Sequence, residues 1–425
     1  MLDLKWLREN PGIVAEGARR KRISVDVEAV LEADANHRAL LGKVETLRAE
    51  SKTRSRDMKD LSTEEREGRL EEGRKAKQEL KALQAEEIRV REEVQAGLLS
   101  LPMPPASEVP DGAEESENVE IRSWGEIPEF SFPILDHVAL GENLGILDIA
   151  RGVKLAGSRN YLLLGDGARL EQAILRLAVD HMLARGFDPV SVPILVNHEC
   201  MEGTGYFPGG EEQTYAVPTD GLFLSGTSEV PLTSIHAGET LAEADLPLRR
   251  IAMSPCFRRE AGTYGKDTHG LYRVHQFWKV EQVVIGPNDE DWSIHEQGEM
   301  LTHAEEFMQV LEIPYRVVDV CAGDLGQGQV RKFDIEAWMP SRENWGETHS
   351  ASRFHDFQAR RLGLRYKPAD GGKPLFCHTL NNTVAATPRL LIPILELGQE
   401  EGGGITLPTA LAGMMGKERL ESSSS

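Results

Sequence analysis

The chain lacks paired cysteines, long apolar runs and any excess of positive charge. Cys200, Cys256, Cys321 and Cys377 stand apart with no CxxC spacing, which excludes a disulfide framework and the usual structural zinc patterns and fits a reducing compartment. No run approaches the ~18 apolar residues of a membrane span. The opening MLDLKWLREN carries charges at Asp3, Lys5, Arg8 and Glu9 rather than an apolar core, so no secretory signal is expected. A cytoplasmic protein without a membrane partner is the expectation. With 48 Lys and Arg against 69 Asp and Glu, the net charge of −21 argues against wholesale coating of nucleic acid, DNA included. The deficit is uneven: residues 1–100 hold 21 basic against 21 acidic side chains, so the other 325 carry 27 against 48.

Proline is absent between Pro11 and Pro102, and a heptad pattern fills that gap. Val30, Ala33, His37, Leu40, Val44, Leu47, Ser51, Arg54, Met58 and Leu61 step by alternating three and four. Leu70, Gly73, Lys77, Leu80, Leu83, Glu87, Val90, Val94 and Gly97 form a second seam. Two long helices joined near Ser62 and Thr63 can cover each other's stripes, which predicts an antiparallel coiled-coil arm over 1–103. Polar seam residues Ser51, Arg54 and Lys77 should loosen its middle and tip. The stretch 104–120 begins with Pro104 and Pro105, turns acidic and reads as a linker. From about Ile121 to Ser425, short β-rich runs such as HQFWKVEQVVI and KFDIEAWMP alternate with helical patterns. The full chain of 425 residues, 40% of them hydrophobic, has ample core. The predicted class is α+β, with a mainly antiparallel sheet flanked by helices.

Four segments of the body concentrate chemistry. Residues 256–281 read as strand, long loop, strand, with Arg258, Arg259 and Glu260 at one end and Glu281 on the return, one rigid floor suited to an anion plus an amine. Thr227, Ser228 and Glu229 follow the run LFLSG; if the strand persists, Thr227 and Glu229 share a face. Glu347, Thr348, His349 and Ser350 gather hard oxygen donors suited to Mg²⁺ beside a phosphate. Asn381 and Thr383 lie on a strand that leads into an apolar helix, near whose start Arg389 suits a phosphate. Each segment alone also fits a plainer structure: a surface hairpin with ion pairs, a strand-end turn, a solvated loop, an exposed arginine. All four in one β-rich body behind a helical arm fit those plainer structures poorly.

Together these segments resemble the class II aminoacyl-tRNA synthetases, and among them the seryl-tRNA synthetase family of bacterial type. The helix Leu170 to Ala184 with the strand 186–193 is similar to motif 1, residues 256–282 to motif 2 and residues 379–396 to motif 3. The resemblance implies ATP-dependent activation of L-serine to seryl-adenylate and transfer to the 3′ end of tRNA(Ser), and of tRNA(Sec), by a homodimer. It implies that Thr227, Ser228, Glu229, Arg258, Glu281, Asn381 and Thr383 bind serine. ATP would meet Arg258, Arg259, Glu260, Val274, Phe277, Glu347, Thr348, His349, Ser350 and Arg389, with Arg258 and Arg389 catalytic. Glu347 and Ser350 would hold Mg²⁺, and no zinc is implied. The arm would contact the long variable region of tRNA through Lys52, Arg54, Arg56, Lys59, Lys75, Lys77 and Lys81. Two other readings compete: a paralogue that aminoacylates a carrier protein, disfavoured by the intact arm, and a non-catalytic coiled-coil interaction protein, disfavoured by the retained charged residues. His269, Tyr264 and Ala351 depart from the family's usual residues.

Overall fold

The computed structural model describes residues 1–56, 63–262 and 269–421, and the chain divides into two compact units, Met1–Pro104 and Pro105–Ser425. The first unit is helical: α1 (Leu4–Glu9), α2 (Pro11–Arg20), α3 (Val27–Arg56) and α4 (Thr63–Ser100). The two long helices are those of the heptad pattern. The two short ones are additional, and their start signals are plain in retrospect. Asp3 caps α1 by accepting the Trp6 N–H at 2.9 Å, and Pro11 opens α2, where a missing N–H is tolerated. Leu7 and Val14 from these helices join Val27, Val30, Val94, Leu98 and Leu101 in one cluster. Further along, Leu40, Val44 and Val90 are buried, and the seam is crossed by a polar pair, His37 Nε2 to Glu87 Oε1 at 2.9 Å. A Cβ at Gly97 would lie 2.8 Å from Val30 Cγ2, so only glycine lets the helices close there. Ser51, Leu70 and Lys77 are exposed.

The second unit is built on an eight-stranded sheet. In chain order its strands are β1 (Val119–Trp124), β2 (Asp188–Pro189), β3 (Leu248–Phe257), β4 (Gln276–Gly286), β5 (Tyr315–Asp319), β6 (Arg331–Met339), β7 (Asn344–Arg353) and β8 (His378–Ala386). Their spatial order is β1-β5-β6-β7-β8-β4-β3-β2. Every pairing is antiparallel except β2 with β3. Helices α5 (Asp166–Leu183), α7 (Glu290–Val310) and α8 (Thr387–Leu397) contribute to the main core, while the short α6 (Glu229–Ser234) begins at the last residue of the Thr227-Ser228-Glu229 segment. Val280, Val284, Leu380, Val384 and Ala351 meet Ile174, Met300, Ala304 and Leu391 in that core. No helix among the described residues is long and apolar enough to cross a membrane.

Two expectations change. The motif 1 helix starts at Asp166, and its strand shrinks to Asp188–Pro189, because Pro189 and Pro193 lack the N–H a ladder needs. The stretch expected as a linker is docked instead. Val109 packs with Val318, Val320, Ala322 and Leu325, Ala106 N–H donates to Val330 O at 3.0 Å, and β1 begins at Val119. A few apolar side chains and edge hydrogen bonds suffice to order an acidic segment.

Candidate active site

Alternation along the central strands separates two faces. On β4 and β8, Val280, Val284, Leu380 and Val384 enter the core, while Phe277, Lys279, Glu281, Asn381 and Thr383 line a cleft on the other side. Glu281 lies opposite Thr383 across the β4–β8 ladder. The cleft comprises two adjoining recesses with about 470 and 800 Å³ of open space. Arg258, Lys279, Glu347 and Thr383 line both.

The first recess is cationic and aromatic. Glu260, Tyr272, Arg273, Val274, Phe277, Thr348 and Arg389 line it with Arg258. Arg258 lies over the Phe277 ring, 5.4 Å from the centroid, and its backbone is fixed by His275 through bonds of 3.0 Å in each direction. Two guanidinium groups lie over the Tyr272 ring, Arg342 at 4.4 Å and Arg389 at 4.6 Å from its centre. Arg389 Nη1 donates to Glu347 Oε1 at 3.0 Å and to Glu347 O at 2.9 Å. Loss of hydration works to raise the Glu347 pKa, but the charges of Arg389, Lys332 and Arg258 prevail and it is lowered. Burial opposes the charge on Arg389, and Glu347 holds its pKa above the ordinary value. Glu260 sits at φ +51°, a left-handed conformation costly for a non-glycine residue, with its carboxylate 3.5 Å from Arg273.

The rim of this recess is pinned from behind. Glu396 of α8, fully buried, accepts from His137 N–H at 3.0 Å, Ser341 N–H at 2.9 Å and Ser341 Oγ at 2.8 Å, and pairs with His137 Nδ1 at 2.8 Å. His137 Nε2 in turn accepts the Leu271 N–H at 3.1 Å. Gly270, at φ +79°, leaves no room for a side chain, since a Cβ there would lie 2.2 Å from His137 Nε2.

The second recess is acidic and polar, lined by Tyr206, Glu229, Glu281, Ser350, Asn381 and Thr383. Lys279 Nζ pairs closely with Glu281, both side chains buried. Glu229 accepts from Tyr206 Oη at 2.9 Å and from Gln358 Nε2 at 2.8 Å. Burial, and then the charge on Glu281, push the Glu229 carboxyl up to about 7.

The cleft thus gathers Arg258, Glu260, Val274, Phe277, Glu347, Thr348 and Arg389 in one recess and Glu229, Glu281, Ser350, Asn381 and Thr383 in the other. Four expected residues lie elsewhere. His349 is fully buried on the core side, Nε2 2.9 Å from Val384 O, and burial lowers its pKa to about 4. Arg259 is exposed beside the cleft, its N–H donating to Gln213 O at 2.9 Å. Ser228 is buried with its hydroxyl 2.6 Å from that of Ser254. Thr227 Oγ1 accepts the Glu229 N–H at 3.2 Å; Ser228 occupies the position before α6 without a side-chain cap, so this segment is a turn into a helix and not a strand.

Lys279, Tyr206, Gln358, Tyr272 and Arg342 were not singled out by sequence reasoning. Lys279 alternates with Phe277 and Glu281 on one strand, so the period of two could have marked it; the others carry no local signal. His269 is exposed, 3.2 Å from Asp136 Oδ2. Tyr264 lies outside the described residues. On the arm, Lys52, Lys75, Lys77 and Lys81 are exposed, whereas Lys59 and the side chains of Arg54 and Arg56 lie outside the described residues.

Comparison with known proteins agrees with this architecture. The family model described as the seryl-tRNA synthetase N-terminal domain matches residues 1–105, and that of the tRNA synthetase class II core domain (G, H, P, S and T) matches residues 215–397. The chain is 43% identical over 416 residues to a serine–tRNA ligase of Deinococcus radiodurans, covering 98% of each. It is 44% identical over 424 residues to that of Rubrobacter xylanophilus, again covering 98% of each. Among solved structures, a seryl-tRNA synthetase of Pyrococcus horikoshii complexed with ATP superposes with a TM-score of 0.93 at 36% identity, covering all of both chains. A cytoplasmic serine–tRNA ligase of Naegleria fowleri in complex with AMP gives 0.87 at 31%, covering 100% of this chain and 99% of the other. Full-length similarity to these proteins, over a class II sheet with both recesses formed, places the chain in the seryl-tRNA synthetase family.

Proposed function

We propose that this chain activates L-serine with ATP to seryl-adenylate and then transfers the seryl group to the 3′ end of tRNA(Ser). The observation that carries this reading is the single cleft in which Arg258 borders both a cationic, aromatic recess and an acidic, polar one. Such a pair of recesses suits a purine nucleotide beside a zwitterion that bears a hydroxyl. Phe277 and Val274 offer an apolar surface to adenine, Arg389 a guanidinium to the outer phosphates, and Glu229 an acceptor to the serine ammonium. Glu281 and Thr383 present the polar atoms that a small hydroxyl satisfies, and an alanine would leave them unpaired.

The serine carboxylate is already a nucleophile at neutral pH, so its attack on the α-phosphorus needs no general base. A carboxylate oxygen bonds to that phosphorus while the bridge to the β-phosphate breaks and pyrophosphate leaves. Arg258 stands where charge gathers on the phosphoryl oxygens, and positioning with charge neutralisation supplies the rate. In the second step the 3′-hydroxyl of the terminal adenosine bonds to the seryl carbonyl carbon, the bond from that carbon to the phosphate oxygen breaks, and AMP departs as the hydroxyl proton passes to its phosphate or to water.

Glu347 and Ser350 line the same cleft, and opposite Ser350 across the β6–β7 ladder stands Asp334, whose buried Oδ1 has no hydrogen-bond partner among the described residues. Oxygen donors of this kind fit Mg²⁺, although Lys332 Nζ already lies 3.3 Å from Asp334 Oδ2 and Arg389 holds Glu347 Oε1 at 3.0 Å, so both cations would share these carboxylates with the ion. Bound with ATP, the ion would neutralise phosphate charge. A homodimer that binds tRNA through the lysines of the arm completes the proposal.

The test is serine-dependent exchange of pyrophosphate into ATP, followed by charging of purified tRNA. Both activities are expected. Exchange without charging would move the acceptor to another molecule, such as a carrier protein, and neither activity would remove the chain from catalysis.

A further inference from the structure

We propose that Gln358, with Tyr206 and Thr379, forms a positioning clamp that aims the Glu229 carboxylate into the acidic recess and thereby sets the affinity for the ammonium group of the amino acid. The inference deepens the function proposed above and rests on it. Gln358 is 1% exposed and belongs to the short helix Phe357–Leu362, outside the segments that form the floor of the cleft.

Its side-chain amide has no freedom of orientation. Nε2 lies 2.8 Å from Glu229 Oε1 and 3.0 Å from Thr204 O. The Thr204 carbonyl is a pure acceptor and so is Glu229 when ionised, so a flipped amide would set its carbonyl oxygen against both. With the N–H groups so committed, Oε1 accepts the Thr379 hydroxyl at 2.6 Å. On the other side of the carboxylate, Tyr206 donates to Glu229 Oε2 at 2.9 Å. Each carboxylate oxygen is thus held by one donor, and both donors are neutral.

Neutral donors fix direction without cancelling charge. The charged groups around Glu229 are Glu281 and Lys279 of β4 and Arg258 at the end of β3. Lys279 is already paired with Glu281. Arg361, on the helix of Gln358, donates from Nη1 to the carbonyls of Glu202 and Phe207. Once Glu229 is ionised, its negative charge therefore remains available to an incoming ammonium. The same two hydrogen bonds oppose protonation of a carboxyl that burial and Glu281 otherwise favour. Thr379 stands on β8, the strand that also carries Asn381 and Thr383, so the wall that receives the side-chain hydroxyl is tied to the group that receives the ammonium.

The experiment measures serine-dependent pyrophosphate exchange for the unsubstituted protein and for Gln358→Leu, Tyr206→Phe, Thr379→Val and Thr379→Ser, resolving KM for serine, KM for ATP and kcat over a range of pH. For Gln358→Leu, KM for serine is expected to rise about ten- to a hundredfold, the worth of a hydrogen bond to a charged group, with KM for ATP and kcat nearly unchanged. The pH at which KM for serine falls should move to the alkaline side, because the carboxyl has lost a donor that favours its ionised form. Thr379→Val should show part of this effect and Thr379→Ser none. The clamp is wrong if KM for serine stays constant, if all three parameters move together, or if the valine and serine variants behave alike. Should Gln358→Leu fail to fold, Tyr206→Phe and the Thr379 pair carry the same test. Absence of serine-dependent exchange in the unsubstituted protein overturns the proposed function and the clamp with it; exchange with unresponsive variants overturns the clamp alone.

Discussion

Among the described residues Arg258 is held mostly by its backbone and by stacking, with one long side-chain hydrogen bond, Nε to Gly226 O at 3.4 Å. Arg389, by contrast, is anchored by Glu347. A lightly held guanidinium can follow phosphoryl oxygens as charge develops on them, whereas an anchored one offers a fixed point for charge already present. Replacing Arg258 by alanine should therefore depress kcat for exchange by roughly two to three decades, in line with the ~3 to 4 kcal/mol ascribed to one transition-state donor. Single-turnover formation of the adenylate measures this directly, and a loss confined to KM for ATP would show that Arg258 serves only ground-state binding. Arg353 illustrates a different use of the same side chain. Fully buried, it makes no hydrogen bond from its guanidinium among the described residues, and a Glu108 oxygen lies at 4.0 Å.

Helix α8 takes part in both the core and the cleft, and Glu396 is where the two meet. Four hydrogen-bonding contacts converge on its carboxylate, from His137 and Ser341. Glu396→Gln keeps the shape but turns an NH₂ toward groups that donate. A loss of about 2 kcal/mol or more is expected, with a raised KM for ATP because Leu271, whose N–H is held by His137, lines the recess proposed for the nucleotide. Urea denaturation with parallel exchange kinetics checks both; an unchanged midpoint would show that the junction carries little strain when altered.

The same scale explains what could be read from the letters. The arm, the central strands and the start of α8 were legible because their periods of 3.5 and 2 and the Pro388 near the helix start are local signals. The Glu347–Ser350 pair shows why alternation fails elsewhere. Glu336 faces Glu347 but Ile335 faces His349, so one extra residue bulges from β7 between them. That bulge puts Glu347 and Ser350 in one cleft and sends His349 into the core. Strict alternation would pair Glu347 with His349. At the TSE segment, Ser228 followed by Glu229 and by Pro231 in the first turn was a helix start, and the preceding LFLS run masked it. Gln358 and Tyr206 reach Glu229 from across the fold, a proximity that no short window contains.

For the molecule as a whole, charge is divided unevenly along the chain: residues 1–100 are balanced and the remainder carries the entire −21. An acidic body repels nucleic acid at long range, which leaves the neutral arm with its exposed lysines as the favourable place for a polyanion. Raising salt from about 50 to 200 mM should weaken tRNA charging through KM for tRNA far more than it changes pyrophosphate exchange, since only the former would draw on the phosphate contacts proposed for the arm. Equal sensitivity of the two reactions, measured on one preparation, would place the electrostatic demand in the cleft instead. Finally, four side chains border both recesses, so the two proposed occupants would be close neighbours. A single molecule that joins a seryl group to adenosine through a stable, uncleavable bridge would lose its translational freedom once rather than twice, and its grip should exceed what the separate halves achieve by the effective concentration of one half beside the other.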